Sequence, residues 1–200
     1  PKSDSIKTEL LFIERCLSLL KPGGRMGIVL PEGVFNNPSL DYVREFAEGN
    51  AIISAIISIP QETFISAKAF VKTSLLFMQK FAESEKKKWE EILESRKNEI
   101  LAEQQKERKE IESILKDRKV DIIKKKEAKE KIKELDEFLH NESRRLARGD
   151  FNYLIFMYEA DHVGITSTGE EDANEFPQIS EEYKKFRKDP KNFMNNEKQP

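Results

Sequence analysis

Between Glu83 and Arg148 the chain contains no glycine and no proline, and Lys, Glu and Arg dominate. A stretch without breakers, built from strong helix formers, is confined to helix over most of its length. Its apolar residues are sparse. Trp89, Leu93, Ile100, Ile111, Ile114 and Leu115 form one stripe, and Ile122, Ile123, Ile132, Leu135 and Leu139 form another. The phase of the stripe breaks around Lys116–Asp121. The spacing predicts two long helices folded into an antiparallel hairpin with a narrow coiled-coil seam, a single continuous helix being the competing reading. Irregular heptads argue against a parallel oligomeric coiled coil.

The flanks have a different character. Residues 1–81 read as α/β. Ile6, Leu10, Ile13, Leu17 and Leu20 recur at steps of three and four, one face of a helix, with Lys21 near its C-terminus. Pro22-Gly23-Gly24 stops that helix and turns the chain. Met26–Leu30 is a short apolar run, expected to be a strand buried on both faces. Asn37-Pro38 reads as an N-cap and first helical position, followed by a stripe of Leu40, Val43 and Phe46 that ends near Gly49. Ile52–Ile59 predicts a second buried strand closed by Pro60, and Val71–Phe81 a third. Strand–helix–strand order implies a right-handed parallel crossover. The third strand follows a loop of about ten residues, which fits an antiparallel return. In residues 149–200, the string FNYLIFMYEA starts a strand or helix, DHVGITSTGEEDANEFPQ reads as loop, Ser180–Lys188 as a short helix, and DPKNFMNNEKQP as a polar tail that frays.

Composition bounds the function. Charged residues make up 36% of the chain, yet the net charge is −2, which argues against a uniformly basic nucleic-acid binder. One cysteine, Cys16, forms no internal disulfide and reads as a small core residue in a protein of a reducing compartment. No apolar run approaches the roughly 20 residues that span a bilayer, and no signal peptide is recognisable. A cytoplasmic protein with no membrane partner is the expectation. The chain begins at Pro1 with no initiator Met, which fits an excised or processed piece.

Three segments in order carry a resemblance. They are the helix–PGG–strand–PEG unit of residues 10–35, the string IISAIISIPQETFISAKAFVKTSLLFM, and VGITSTGEEDANEFPQISEEYKKF. Together they resemble the modification subunit of type I restriction-modification systems, a family of S-adenosylmethionine-dependent DNA adenine-N6 methyltransferases. The resemblance covers about residues 6–81 and 150–188. It implies the C-terminal part of a Rossmann-like methyltransferase sheet, with the helical hairpin inserted. The expected division is 1–81 for the sheet half, 82–148 for the hairpin and 149–200 for a return segment and tail.

Such enzymes flip the target adenine out of the duplex and hold its amine on an Asn/Asp-Pro-Pro-aromatic loop. The nearest string here, Asn37-Pro38-Ser39, lacks the second proline and the aromatic. Gly23-Gly24-Arg25-Met26-Gly27 precedes a strand, whereas the cofactor loop follows one. The resemblance therefore implies that S-adenosylmethionine and the catalytic loop belong to sequence outside this chain, and that the chain alone is inactive. One residue carries over: Phe64, in Pro60-Gln61-Glu62-Thr63-Phe64, matches an aromatic that packs against the flipped base. Such stacking is worth about 1–3 kcal/mol. Without the resemblance, Phe64 reads as a plug for the sheet edge, and Phe70 is the weaker aromatic candidate. Pro31, Glu32 and Gly33 sit at the crevice end of a strand, where they line a substrate groove or simply turn the chain.

The implied partners are DNA, a specificity subunit and a restriction subunit, with the hairpin as the arm that docks on the specificity subunit. In the alternative, the hairpin is itself the functional part, an interaction or scaffold module mounted on the α/β pieces. A methyltransferase acting on a small molecule or a protein is a third reading. His140 and His162 have no Cys/His company, so a zinc site is not expected. Lys86–Lys88, Lys124–Lys126 and Arg144–Arg148 offer contacts for DNA phosphates, but Glu is interleaved nearly everywhere, which favours the reading as solvated helix faces. Gly164–Gly169 reads as a plain turn.

Overall fold

The computed structural model describes residues 8–117, 119–191 and 193. Ile6 and most of the polar tail lie outside them. The chain forms two compact units, one of residues up to Glu83 together with those from Tyr153, the other Ser84–Asn152.

The first unit is built on a four-stranded sheet. Helix α1 (Thr8–Leu19) leads through the Pro-Gly-Gly turn into β1 (Arg25–Pro31). The turn closes on the far end of the sheet: the Gly23 amide donates to the Lys80 carbonyl (3.0 Å), the Lys80 amide to the Gly24 carbonyl (2.8 Å), and Gly23 takes a φ of 74° that favours glycine. Lys21 lies beyond the end of α1. The cation that meets the helix's last carbonyls is instead Lys80, whose Nζ donates to the oxygens of Leu17 (2.8 Å) and Leu20 (2.7 Å).

A one-turn helix α2 (Gly33–Asn36) and a 3-10 turn (Pro38–Leu40) precede α3 (Asp41–Glu48). Asn37 does cap, its Oδ1 accepting the Ser39 amide at 2.9 Å, but it caps the 3-10 turn. In α3 the buried positions are Val43 and Ala47, while Phe46 is exposed.

Strands β2 (Ala51–Ile59) and β3 (Thr73–Lys80) pair antiparallel, and β4 (Phe156–Glu159) runs parallel to β2. The order is β1-β3-β2-β4. Thus β1 and β2 are parallel, as the strand–helix–strand order implied, but they are not neighbours: β3 returns between them. Phe70 and Val71 stay outside the third strand and are exposed.

The face alternation of β2 is reset by a bulge. Ile53 lies opposite Met78 and Ala55 opposite Phe77, leaving Ser54 as the extra residue. Ala51, Ile53 and Ile56 therefore meet α1 and α3, with Leu10, Ile13, Leu17, Leu30, Leu76 and Met78 in the same core. Ala55, Ile57 and Ile59 face the other way, toward Phe156, Ile179 and Phe186. Each fully buried Leu or Ile contributes roughly 1.5–3 kcal/mol of transfer free energy.

The expectation that Met26–Leu30 is buried on both faces is corrected. Leu30 is buried, but Gly27 is exposed and Val29 is 46% exposed. β1 has one neighbour among the described strands, and the second core, gathered around β2 and β4, does not extend over it.

The segment read as loop after Ala160 is a small antiparallel hairpin, β5 (Val163–Ile165) and β6 (Glu171–Asn174), with Gly164 and Gly169 both at φ 87°. It leads into α6 (Phe176–Lys188), which starts earlier than Ser180 because Pro177 suits a first helical turn. Around Phe156, the rings of Tyr183 and Phe186 each lie 5.5 Å away and that of Phe193 5.9 Å.

The second unit consists of α4 (Glu83–Lys116) and α5 (Ile122–Phe151), two long antiparallel helices. They break where the stripe changes phase, with the Asp121 carboxylate accepting the Ile123 amide at the start of α5. The α5 helix continues to Phe151, past the expected limit at Arg148. Trp89 meets Phe151 edge-on at 5.5 Å; Arg96 pairs with Asp150 (2.6 Å) and Arg108 with Asp136 (2.8 Å). The Asp150 bond holds the Arg96 guanidinium firmly charged. Trp89, Ile100, Gln104 and Ile111 face Ala128, Ser143 and Ala147 in the seam. Ile114, Ile122 and Ile123 do not join it, which corrects the sequence stripes at the tip of the hairpin, where the two helices join. No helix among the described residues is long and apolar enough to cross a membrane.

Candidate active site

Strands β1, β2 and β4 are mutually parallel, so their C-terminal ends lie along one edge of the sheet. In open α/β sheets, ligands bind at that edge. Pro31 ends β1, Ile59 ends β2 and Glu159 ends β4, while Thr73 at the start of β3 lies opposite both Pro31 and Ile59.

The Pro31-Glu32-Gly33 turn is anchored at both its backbone and its side chain. The Glu32 amide donates to the Lys72 carbonyl (2.9 Å), and Ser74 Oγ donates to Glu32 Oε2 (2.8 Å). Ser74 is 1% exposed, so this hydrogen bond replaces water that its hydroxyl cannot reach. Arg44 on α3 steadies the segment that follows, donating to the carbonyls of Val34 (2.8 Å) and Asn37 (3.0 Å) while paired with Asp41. Gly33 is exposed, with open space where a Cβ would stand.

Phe64 lies in a 3-10 segment, Gln61–Ala67, that follows β2 directly. Thr63 Oγ1 donates to the Pro60 carbonyl (2.7 Å), and Lys68, at φ 61°, closes the segment. Phe64 is half-buried and packs against the core of Ile57, Ile59 and Phe156. Lys72 Nζ pairs with Glu159 Oε1 at 3.2 Å, tying the start of β3 to the end of β4.

The sequence-derived candidates therefore share one sheet edge but not one face. Ser74, which Glu32 reaches, alternates with Leu76 and Met78 on the α1–α3 side. Phe64 packs on the α6 side. The face that a loop after a strand adopts is set by tertiary packing and has no period in the sequence.

Further polar arrangements at this edge were not legible in advance. Thr73 Oγ1 is buried at the sheet edge without a hydrogen-bond partner. Beside Phe64's segment, a cavity of about 250 Å³ is lined by Glu62 and Thr63, by Asp161 and His162, and by Thr166 and Asp172 of the β5–β6 hairpin. Across it His162 Nδ1 lies 3.1 Å from Asp172 Oδ2, and Glu175 Oε1 accepts the amides of Asp161 (3.2 Å) and His162 (2.9 Å). The Asp172 hydrogen bond raises the His162 pKa, and the same bond lowers that of Asp172. Tyr158 is pushed up by burial and then by the nearby Glu175 charge. A His and an Asp ten residues apart carry no pairing signal until the hairpin forms.

His140 is exposed on α5, and Cys16 is half-buried on α1. Among the described residues no group of three or more His, Cys, Asp or Glu is placed to hold a metal ion.

The chain is thus a mixed α/β domain with its candidate residues along the parallel C-terminal edge, the edge at which open α/β sheets bind ligands. The family model for N-6 DNA methylases matches residues 2–161, and the chain belongs to that family. The match runs through the helical unit and ends before the β5–β6 hairpin. A solved structure from Listeria monocytogenes, assigned as a class I S-adenosylmethionine-dependent methyltransferase, is similar over 42% of this chain and 25% of that chain, at 28% identity and a TM-score of 0.36. The present chain thus spans about a quarter of that protein's length. No curated protein matches the chain.

Proposed function

We propose that this chain is part of the modification subunit of a type I restriction-modification system, and that the whole protein transfers a methyl group from S-adenosylmethionine to the N6 amine of adenine in DNA. The observation that carries the reading is the N-6 DNA methylase match across residues 2–161. It is supported by the two candidate segments, Pro31–Gly33 and Gln61–Phe64, which follow parallel strands at the ligand edge.

S-adenosylmethionine supplies an electrophilic sulfonium methyl. The residues described here do not suit it. The turns that end β1 and β2, Pro31-Glu32-Gly33 and Pro60-Gln61-Glu62, are not glycine-rich, and the amide and carboxylate of Glu32 are already engaged. Holding the donor falls to other parts of the whole protein, and the chain by itself is inactive.

What these residues do is narrower. Phe64 offers a half-buried ring at the sheet edge for the face of a flipped adenine, and the Pro31–Gly33 turn, fixed by Ser74, lines the approach. Phe64→Ala in the whole enzyme is expected to weaken capture of the target base by up to about 1–3 kcal/mol. Unchanged methylation kinetics together with unchanged base-flipping fluorescence would show that Phe64 only plugs the sheet.

The whole protein pairs with a specificity subunit that selects the DNA sequence, and with a restriction subunit, in the cytoplasm. The decisive experiment is methyl transfer from labelled donor to duplex DNA by the full-length protein with its specificity subunit, followed by nucleoside analysis. Label in N6-methyl-2′-deoxyadenosine is expected. Label in cytosine, in protein or nowhere would overturn the reading. A second reading rests on the separate compact unit Ser84–Asn152: the hairpin as an interaction module. Deletion of residues 83–148 with undiminished methylation but lost subunit assembly favours it.

A further inference from the structure

We propose that the tip of the α4–α5 hairpin, where the two helices join, is a contact for the sugar–phosphate backbone of duplex DNA, in which Lys119, Lys124 and Lys125 neutralise phosphates around the exposed side chains of Ile122 and Ile123. The proposal rests on the reading that the substrate is DNA.

Along most of the hairpin glutamates are interleaved with the cations, and some pair one turn apart, as in Lys86–Glu90 and Lys87–Glu91. At the tip the interleaving lapses. No glutamate occurs between Glu112 and Glu127, and residues 113–126 hold Lys116, Arg118, Lys119, Lys124, Lys125 and Lys126 against Asp117 and Asp121. Both aspartates also serve the local backbone. Asp117 Oδ1 accepts the Lys119 amide at 2.8 Å and Asp121 Oδ1 the Ile123 amide at 3.1 Å. Lys116 reaches Glu112 at 3.2 Å and Lys126 reaches Glu130 at 4.0 Å. Lys119, Lys124 and Lys125 form no ion pair among the described residues.

Helix stability does not account for these cations. The first turn of α5 has no acidic residue, although that is where the helix dipole favours anions and opposes lysines. Nor does packing account for the isoleucines. Ile122 is 83% exposed, Ile123 66% and Ile114 37%. Branched apolar side chains ringed by lysines match the backbone and groove wall of a duplex, where cations take phosphates and apolar groups take sugars and base edges. Charge complementarity to DNA decides the occupant for a chain of a DNA methylase family.

The test uses the full-length protein with its partner subunits and measures duplex binding by fluorescence anisotropy over a salt series. Each neutralised phosphate contributes about −0.9 to the slope of log affinity against log salt. The variant K119Q/K124Q/K125Q is expected to flatten that slope by about 2–3 and to weaken binding at 0.1 M salt by about tenfold or more. Arginine at the same positions should retain the slope. Ile122→Ser with Ile123→Ser, at exposed positions that leave folding intact, should weaken binding with the slope unchanged. An unaltered slope in the glutamine variant overturns the proposal, as does loss of subunit assembly with DNA binding intact, which would assign the hairpin end to a protein partner. The slope decides the hairpin end; nucleoside analysis of the wild-type reaction, run on the same preparation, separately decides whether adenine in DNA is the substrate.

Discussion

Replacing Ser74 by alanine tests whether the Pro31-Glu32-Gly33 turn is held by its side-chain anchor. Ser74 is 1% exposed, and its hydroxyl donates to the Glu32 carboxylate at 2.8 Å. A hydrogen bond to a charged acceptor contributes about 1.5–3 kcal/mol net. Glu32 is only half-buried, so its carboxylate recovers water when the donor is lost, which places Ser74→Ala near the lower end, about 1.5 kcal/mol. Glu32→Gln keeps an acceptor without the charge and should lose about half as much, since charge-assisted bonds are roughly twice as strong. The assay is a double-mutant cycle with Ser74→Ala, Glu32→Ala and the pair, read by urea unfolding. A coupling energy of about 1 kcal/mol or more is expected for groups in contact. Hydrogen exchange at the Glu32 and Phe35 amides, which donate to the carbonyls of Lys72 and Glu32, gives the local readout: opening should become about tenfold more frequent, the equivalent of about 1.4 kcal/mol. Additive single variants, with a coupling below about 0.5 kcal/mol, would refute the anchor.

Other consequences follow from the packing and the charges. Phe156→Ala should destabilise by about 3–5 kcal/mol in urea unfolding, because the side chain is buried among the rings of Tyr183, Phe186 and Phe193; a loss under about 1.5 kcal/mol would contradict that core. The β5–β6 hairpin should depend on pH through His162 and Asp172. The folded pKa of His162 is raised above 6.5, so its contribution is complete below that value and fades as pH rises through the folded pKa. The folded pKa of Asp172 is lowered below 3.8, so its contribution is present above that value and fades as pH falls. Amide protection of the hairpin, corrected for intrinsic exchange, should decline as pH rises above about 6.5, and His162→Gln should abolish the decline; the carboxylates of Asp161 and Glu175 also lie near the ring and raise its pKa.

Much of the fold is legible in local chemistry. Pro22-Gly23-Gly24 can only turn, and Gly23 does so at positive φ. The breaker-free run from Glu83 can only be helical, and its stripe changes phase where α4 gives way to α5. Asn37 reads as a cap and is one, although for a 3-10 turn. The misreadings share a cause. Val29 is apolar enough for a buried strand, yet whether a face is covered depends on which distant element lies over it. Ile122 and Ile123 continue a stripe whose partner positions run out at the tip of the hairpin. The bulge at Ser54 inverts the faces of β2 through a choice of register that no alternation in Ile52–Ile59 reveals.

The candidate site divides in the same way. Its position, at the ends of parallel strands, follows from strand order and from the turns after β1 and β2, both set by residues close in sequence. Its chemistry depends on pairs far apart in the chain, Ser74 with Glu32 and Lys72 with Glu159. Periodicity and turn propensity act over a few residues, so the sequence by itself determined most helices, the first three strands to within a residue or two and the long helical hairpin, while β5 and β6 read as loop. Only the tertiary structure decided that β3 lies between β1 and β2, that Glu32 and Phe64 serve opposite faces of one edge, and that the Ser74 hydroxyl finds a carboxylate, because those outcomes are selected by burial and hydrogen-bond satisfaction over the whole assembled sheet.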